Sequence, residues 1–411
     1  MSLSQGREVL SMPGPSNMPD RVLRAMHRAA PDIYGGPLID LTATVLRDLR
    51  KLAGTQGDCA IYIGNGHAVW EASVSNILAP GDKALFAVNG RFGHGWAETA
   101  LRMGVDAEVM DFGWRGAIDP VRVEERLRAD RDHSIRAVLA VETDTATSAR
   151  NDVRALRPAL DAAGHPALLA IDCIASLGCD RFEMDAWGVD VMIAASQKGL
   201  MTPPGVAFTF HGPKAEALGL TSPSPYWDWR PRVRPERFAD HFCGTAPTHH
   251  LYGLREALDM IAEEGLENVW ARHDAQARAV WAAVEAWGAE GAFALNVAEP
   301  AARSRAVTTV RTGPGDATRL RGWCSAEAGV TLGVGMPGPE DDADSLFRIG
   351  HMGHLNPVML LGALASIEAG LGALRIAHGA GGAAAAGRIL AGTGGKTPVA
   401  TARMDVDTAA E

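Results

Sequence analysis

Seven short apolar runs, each followed by a stretch of helical periodicity, constrain this chain more than any other feature. They are Ala60–Ile63, Ala84–Val88, Ala107–Met110, Ala137–Val141, Ala167–Ile171, Val189–Ala194 and Val206–Phe210. Runs this short and this apolar suit strands buried on both faces, the environment of a parallel sheet. The segments between them, such as Val121–Arg131 and Asp152–Ala163, repeat apolar residues three and four apart, as a one-sided helix does. Strands alternating with amphipathic helices predict an α/β fold around a mainly parallel, seven-stranded sheet, spanning residues 20–255.

A smaller α+β domain is expected over residues 256–378. Leu254 to about Trp287 reads as one long helical stretch. Weaker strands follow at Ala306–Val310, Val330–Leu332 and Leu346–Ile349, with a helix at Pro357–Leu371. Residues 1–19 are then an N-terminal arm. Residues 379–411, rich in glycine and alanine, read as a low-complexity tail. Two domains suit a chain of 411 residues.

Charge and cysteine usage narrow the function. The net charge of −10 argues against nucleic-acid or anionic-membrane partners, which reward a basic surface. The N-terminus has no apolar signal core, and no run of about 18 apolar residues exists to span a membrane. Five scattered cysteines with no CxxC pair read as reduced thiols, so the cytoplasm is the expected compartment. There is no His-Glu-x-x-His, and His249, His250, His351 and His354 are read as loop or helix-start residues, so no metal site is expected.

Only five lysines stand among the 39 basic residues, and Lys198 differs from the other four. It lies just past a buried strand, in Ser196-Gln197-Lys198-Gly199, and ligands of parallel α/β sheets bind at the carboxyl ends of strands. A lysine there can form a Schiff base with a carbonyl cofactor if its surroundings depress its pKa. From position alone, a surface lysine capping a strand fits equally.

Asp172, which ends the preceding strand, adds to the case. A buried carboxylate keeps the ring nitrogen of pyridoxal phosphate (PLP) protonated, the condition for its work as an electron sink. A strand-end or N-cap aspartate is the alternative reading. Gly64-Asn65-Gly66-His67, between a strand and a helix, offers backbone amides to a phosphate. Val69 breaks the G-x-G-x-x-G fingerprint of dinucleotide sites, and no P-loop lysine follows.

Lys198, Asp172 and the glycine cup, in this order, resemble the fold-type-I PLP enzymes, specifically the class V aminotransferases of the alanine–, serine– and aspartate–glyoxylate group. The resemblance spans residues 10–372. It includes Pro13-Gly14-Pro15-Ser16-Asn17, Leu78-Ala79-Pro80-Gly81-Asp82, Asn89-Gly90-Arg91-Phe92-Gly93, Tyr252-Gly253-Leu254-Arg255-Glu256-Ala257-Leu258 and Arg348-Ile349-Gly350.

The resemblance implies that Lys198 binds the cofactor covalently and shuttles the substrate proton, with Asp172 on the pyridine nitrogen. It implies that Phe92 stacks on the ring and that Thr145 bonds the phenolic oxygen. Gly66, His67 and Gln197 would line the phosphate, and Thr245 would reach it from the second subunit of a homodimer. Arg348 would hold the substrate carboxylate, where an interface ion pair is its other reading. Tyr34, Tyr226, Trp227, His249 and Met352 are candidates for the pocket rim.

The activity implied is amino transfer from serine, alanine or aspartate to glyoxylate or pyruvate by a ping-pong cycle. This chain departs from the group at Phe242, where tyrosine is usual, and at Ser148, where glycine is usual. Pyridoxamine–pyruvate aminotransferases share the Arg-Ile-Gly-His-Met-Gly ending at 348–353, but Met336–Asp344 lacks the arginine expected nearby for that activity. A cysteine desulfurase would need a mobile nucleophile, and Cys324, in an expected helix, and Cys243 are poorly placed for that.

Overall fold

The computed structural model describes residues 4–393. The chain begins with β1 (Val9–Ser11), α1 (Asp20–Met26) and α2 (Pro37–Ala53). It then alternates through β2 (Asp58–Gly64), α3 (Gly66–Ile77), β3 (Lys83–Val88), α4 (Arg91–Arg102), β4 (Asp106–Asp111), α5 (Pro120–Ala129) and β5 (Ile135–Val141). A small hairpin, β6 (Thr143–Asp144) and β7 (Ala149–Arg150), precedes α6 (Leu156–Ala162). The strands β8 (Leu168–Asp172), β9 (Val191–Ala195) and β10 (Gly205–His211) complete the sheet.

All seven apolar runs are strands of one sheet, in the order β2-β10-β9-β8-β5-β3-β4, with β10 antiparallel to both its neighbours. The reason is visible along β3. Leu85 and Ala87 enter the core on one face, with Val45 and Leu49 of α2, while Ala84, Phe86 and Val88 enter the core on the other, with Val69 and Trp70 of α3. Side chains alternate across a strand, so a continuously apolar run satisfies both cores.

After the sheet come α7 (Pro213–Glu216), α8 (Arg230–Val233), α9 (Thr248–Glu264) and α10 (Leu266–Gly288). The long helical stretch expected from Leu254 to Trp287 is therefore two helices. Gly265, at φ 83°, leaves the helical region and breaks it.

A second sheet is built from β11 (Ala294–Leu295), β12 (Val307–Arg311), β13 (Val330–Val334) and β14 (Leu346–Gly350). The helices α11 (Asp316–Ala328) and α12 (Pro357–Ala373) accompany it. Its order is β1-β13-β14-β12-β11, so residues 9–11 of the N-terminal arm form an edge strand beside β13.

The tail from residue 379 needs correction over Gly382–Thr393, which form helix α13 rather than structureless low complexity. Ala is the best helix former, and Glu368 of α12 caps the helix by accepting the N–H groups of Gly381 (2.7 Å) and Ala383 (2.9 Å). Ala386 is fully buried. Residues 394–411 of the expected tail lie outside the described residues.

Candidate functional site

The carboxyl ends of β2, β5, β8 and β9 face the same edge of the large sheet, and the loops leaving them build the site. Asp172 is the last residue of β8, and Lys198 follows β9 by three residues. The loop carrying Lys198 is gripped by the N-terminal segment. Ser16 donates its hydroxyl to the Lys198 carbonyl (2.7 Å), its N–H bonds the Gln197 carbonyl (3.0 Å), and the Lys198 amine donates to the Pro13 carbonyl. Gly14 has φ 94°, and a Cβ there would lie 2.6 Å from the Lys198 Nζ, so only glycine fits. The motif at 13–17 is thus a clamp on the lysine.

Burial lowers the Lys198 pKa to about 8, with the nearby positive charge of Arg348 acting in the same direction and Asp172 opposing it. Asp172 is 3% exposed. Its carboxylate accepts the indole N–H of Trp70 (2.7 Å) and the backbone N–H of Ile174 (2.7 Å). Burial raises its pKa to about 6, and these two hydrogen bonds restrain the rise.

A cavity of about 230 Å³ has Lys198, Gln197, Gly66, His67, Phe92 and Trp70 in its wall. The glycine cup opens α3 as expected: Asn65 caps the helix by accepting the His67 N–H (3.1 Å), and a Cβ on Gly66 would strike Ile174 at 2.7 Å. Gln197 carries a buried amide oxygen with no hydrogen-bond partner among the described residues. A helix N-terminus and a glycine cradle fit a phosphate, and a lysine with a lowered pKa fits an aldehyde.

Phe92, at the start of α4, lies edge-on to Trp70 with centroids 6.3 Å apart. Its position depends on Asp144, fully buried on β6, whose carboxylate accepts the N–H groups of Phe92 (2.7 Å), Gly93 (3.3 Å) and Ala146 (2.9 Å). Gly90 makes room for that carboxylate, since a Cβ would meet it at 2.4 Å. Thr145 is buried in the turn of the hairpin, and its carbonyl accepts from Arg348 Nη1 (2.9 Å).

Arg348, 5% exposed on β14, also donates Nε to the Val334 carbonyl (2.7 Å). Two carbonyls fix its plane without cancelling its charge, and no ion pair involves it among the described residues. Burial lowers its pKa to about 10, which still leaves it cationic at neutral pH. Ser148 occupies the left-handed region at φ 59°, where glycine is the easy choice. Its hydroxyl accepts the Thr309 N–H (3.0 Å), tying the hairpin to β12.

Other candidates fall elsewhere. Tyr34 is 86% exposed in the loop before α2, so the expectation that it borders the pocket is not met within one chain. Thr245 is exposed in the loop before α9. Phe242 is a buried core residue, Met352 packs with Cys179 and Val307, and His249 bonds the Arg28 carbonyl. Tyr226 bonds the Ile63 carbonyl and meets Trp227 edge-on. Cys324 is fully buried in α11.

Sequence reasoning missed Trp70 and Asp144, whose partners are distant in the chain. One cluster with metal-ligand chemistry, Asp58, His211 and Glu216, lies at the opposite end of β2 and β10. His211 meets Glu216 there at 3.1 Å, and Arg234 pairs with Asp58 at 2.8 Å.

The comparisons with known proteins agree with this geometry. Residues 9–336 match the family model for class-V aminotransferases. The chain is 39% identical to a serine–glyoxylate aminotransferase of Methylorubrum extorquens, covering 92% of this chain and 95% of the relative. It is 37% identical to an L-aspartate–glyoxylate aminotransferase of Paracoccus denitrificans, covering 87% and 89% respectively. Among solved structures, the pyridoxamine–pyruvate aminotransferase of Mesorhizobium loti superposes with a TM-score of 0.86 at 26% identity, over 95% of this chain and all of that one. The chain belongs to the class-V aminotransferases.

Proposed function

We propose that this protein uses PLP to pass an amino group from a small amino acid (serine, alanine or aspartate) to a small 2-oxo acid (glyoxylate or pyruvate). The observation that carries the reading is the cavity itself. A lysine poised near neutrality and a glycine-rich helix start share its wall, and Arg348, with no ion pair among the described residues, lies close enough for its charge to act on that lysine. The names of the relatives support the substrate class.

When bound, PLP supplies an electron-withdrawing ring that disperses negative charge from the donor's α-carbon. The rest is done by the chain. Lys198 anchors the cofactor aldehyde, and its freed amine takes the α-proton and returns it on the other side of the transfer. Asp172 holds a proton on the ring nitrogen.

Phe92 would pack on the ring face, and Thr145 would bond the phenolic oxygen. Gly66, His67 and Gln197 would hold the phosphate. Arg348 pairs with the carboxylate common to donor and acceptor, so one site serves both halves of the cycle. Thr245 and Tyr34, exposed on their own chain, serve a second copy, which makes the working unit a homodimer in the cytoplasm.

Purified protein supplied with PLP tests the reading. Its absorbance near 410–430 nm is expected to fall when one amino acid is added without an oxo acid, as amino transfer to the cofactor requires (about 330 nm for the product form). Loss of the band with none of the three donors refutes the substrate class. The structural likeness to pyridoxamine–pyruvate aminotransferase favours one second reading, which wins if pyridoxamine alone supports turnover with pyruvate.

A further inference from the structure

We propose that Trp70 is a positioning residue for the cofactor, fixing Asp172 through its indole N–H and seating His67 and Phe92 with its ring. The proposal rests on the PLP reading above. Trp70 stands on α3, one turn past the glycine cup, and is 2% exposed. It meets three residues of the site. Its N–H donates to Asp172 at 2.7 Å. Its ring meets His67 edge-on with centroids 4.4 Å apart, and Phe92 with centroids 6.3 Å apart.

Those three neighbours sit on separate elements: the end of β8, the start of α3 and the start of α4. One rigid indole therefore sets the spacing between the groups assigned to the ring nitrogen, the phosphate and the ring face. The hydrogen bond also fixes the rotation of the Asp172 carboxylate. Trp70 engages Oδ2 and the Ile174 N–H engages Oδ1, so both oxygens are oriented and the carboxylate cannot rotate.

A buried carboxylate in this setting needs such donors. The charged groups acting on it are Lys198, which favours its ionised form, and Asp144, which opposes it; Glu142 and Cys173 lie on the adjoining backbone. Removing the indole N–H leaves one oxygen without a donor and permits a rotated carboxylate. A hydrogen bond to a charged group contributes enough that its loss weakens binding by roughly tenfold or more.

The test is a double-mutant cycle on PLP affinity, measured by equilibrium dialysis of the apoprotein. Trp70→Phe is expected to raise the PLP Kd about tenfold in the wild-type background and to change it little when Asp172→Asn is already present. A Trp70→Phe protein that binds PLP as tightly as wild type, or that loses the same factor in both backgrounds, overturns the proposal. If Lys198→Ala and Asp172→Asn also leave PLP affinity unchanged, the PLP reading itself has failed, and the cycle separates the two failures.

Should Trp70→Phe fail to fold, the wild-type apoprotein supplies the answer. Of its ten tryptophans, one indole N–H resonance is expected to shift as a neighbouring carboxylate titrates, and to stop shifting in Asp172→Asn. A spectrum with no such resonance overturns the proposal.

Discussion

Replacing Lys198 with methionine removes a buried amine while keeping an unbranched side chain of similar reach. The folded protein depresses this amine from 10.5 to about 8, mainly by burial. At about 1.4 kcal/mol per tenfold change in affinity for the proton, the wild type carries about 3 kcal/mol of destabilisation at neutral pH that the variant lacks. The Pro13 carbonyl loses its donor in the variant, which costs about 1–3 kcal/mol and makes the net change at pH 7 small.

The pH dependence is free of that offset. Below about 8 the amine is charged in both folded and unfolded states, and the whole penalty is present. Between about 8 and 10.5 the unfolded chain still binds the proton that the folded one has released, so wild-type stability rises with pH. Urea unfolding of both apoproteins at a series of pH values reads the difference, in which all other titrations cancel. Wild type is expected to gain about 3 kcal/mol on Lys198→Met between pH 7 and 10.5. Parallel curves would refute the claim that Lys198 is a depressed, buried amine.

Arg348→Lys keeps the charge but cannot span the Val334 and Thr145 carbonyls while offering a planar fork; KM for both amino acid and oxo acid is expected to rise by about 100-fold with PLP affinity nearly unchanged. Gly14→Ala places a methyl 2.6 Å from the Lys198 amine at φ 94°, and dialysis is expected to show PLP binding largely lost. Ser148→Gly relieves a left-handed serine yet orphans the Thr309 N–H, so thermal or urea unfolding is expected to show a net loss of about 1 kcal/mol.

The inner strands were legible because they are buried on both faces and therefore continuously apolar; β3 shows this residue by residue, while β4 at the sheet edge has no buried residue. Lys198 was legible only together with Asp172 at the end of the preceding strand and the glycine cup; its position alone fitted a surface lysine equally well. The rest depended on contacts that local patterning does not carry. Trp70 looks like any apolar helix residue until its N–H finds Asp172 102 positions away. Asp144 looks like a turn residue until Phe92 and Gly93 close on it from another strand's loop.

Helix α13 was hidden for the same reason, since its cap, Glu368, belongs to the preceding helix. Tyr34 and Thr245 show a different limit. Their proposed roles need a second copy of the chain, so one chain leaves them exposed.

Borohydride reduction of the PLP-loaded protein, followed by digestion and mass spectrometry, tests the central claim most directly. Reduction makes a lysine–cofactor bond permanent, and the account predicts one pyridoxyl-phosphate adduct, on the peptide containing Lys198. No adduct, or an adduct confined to Lys51, Lys83, Lys214 or Lys396, would contradict it.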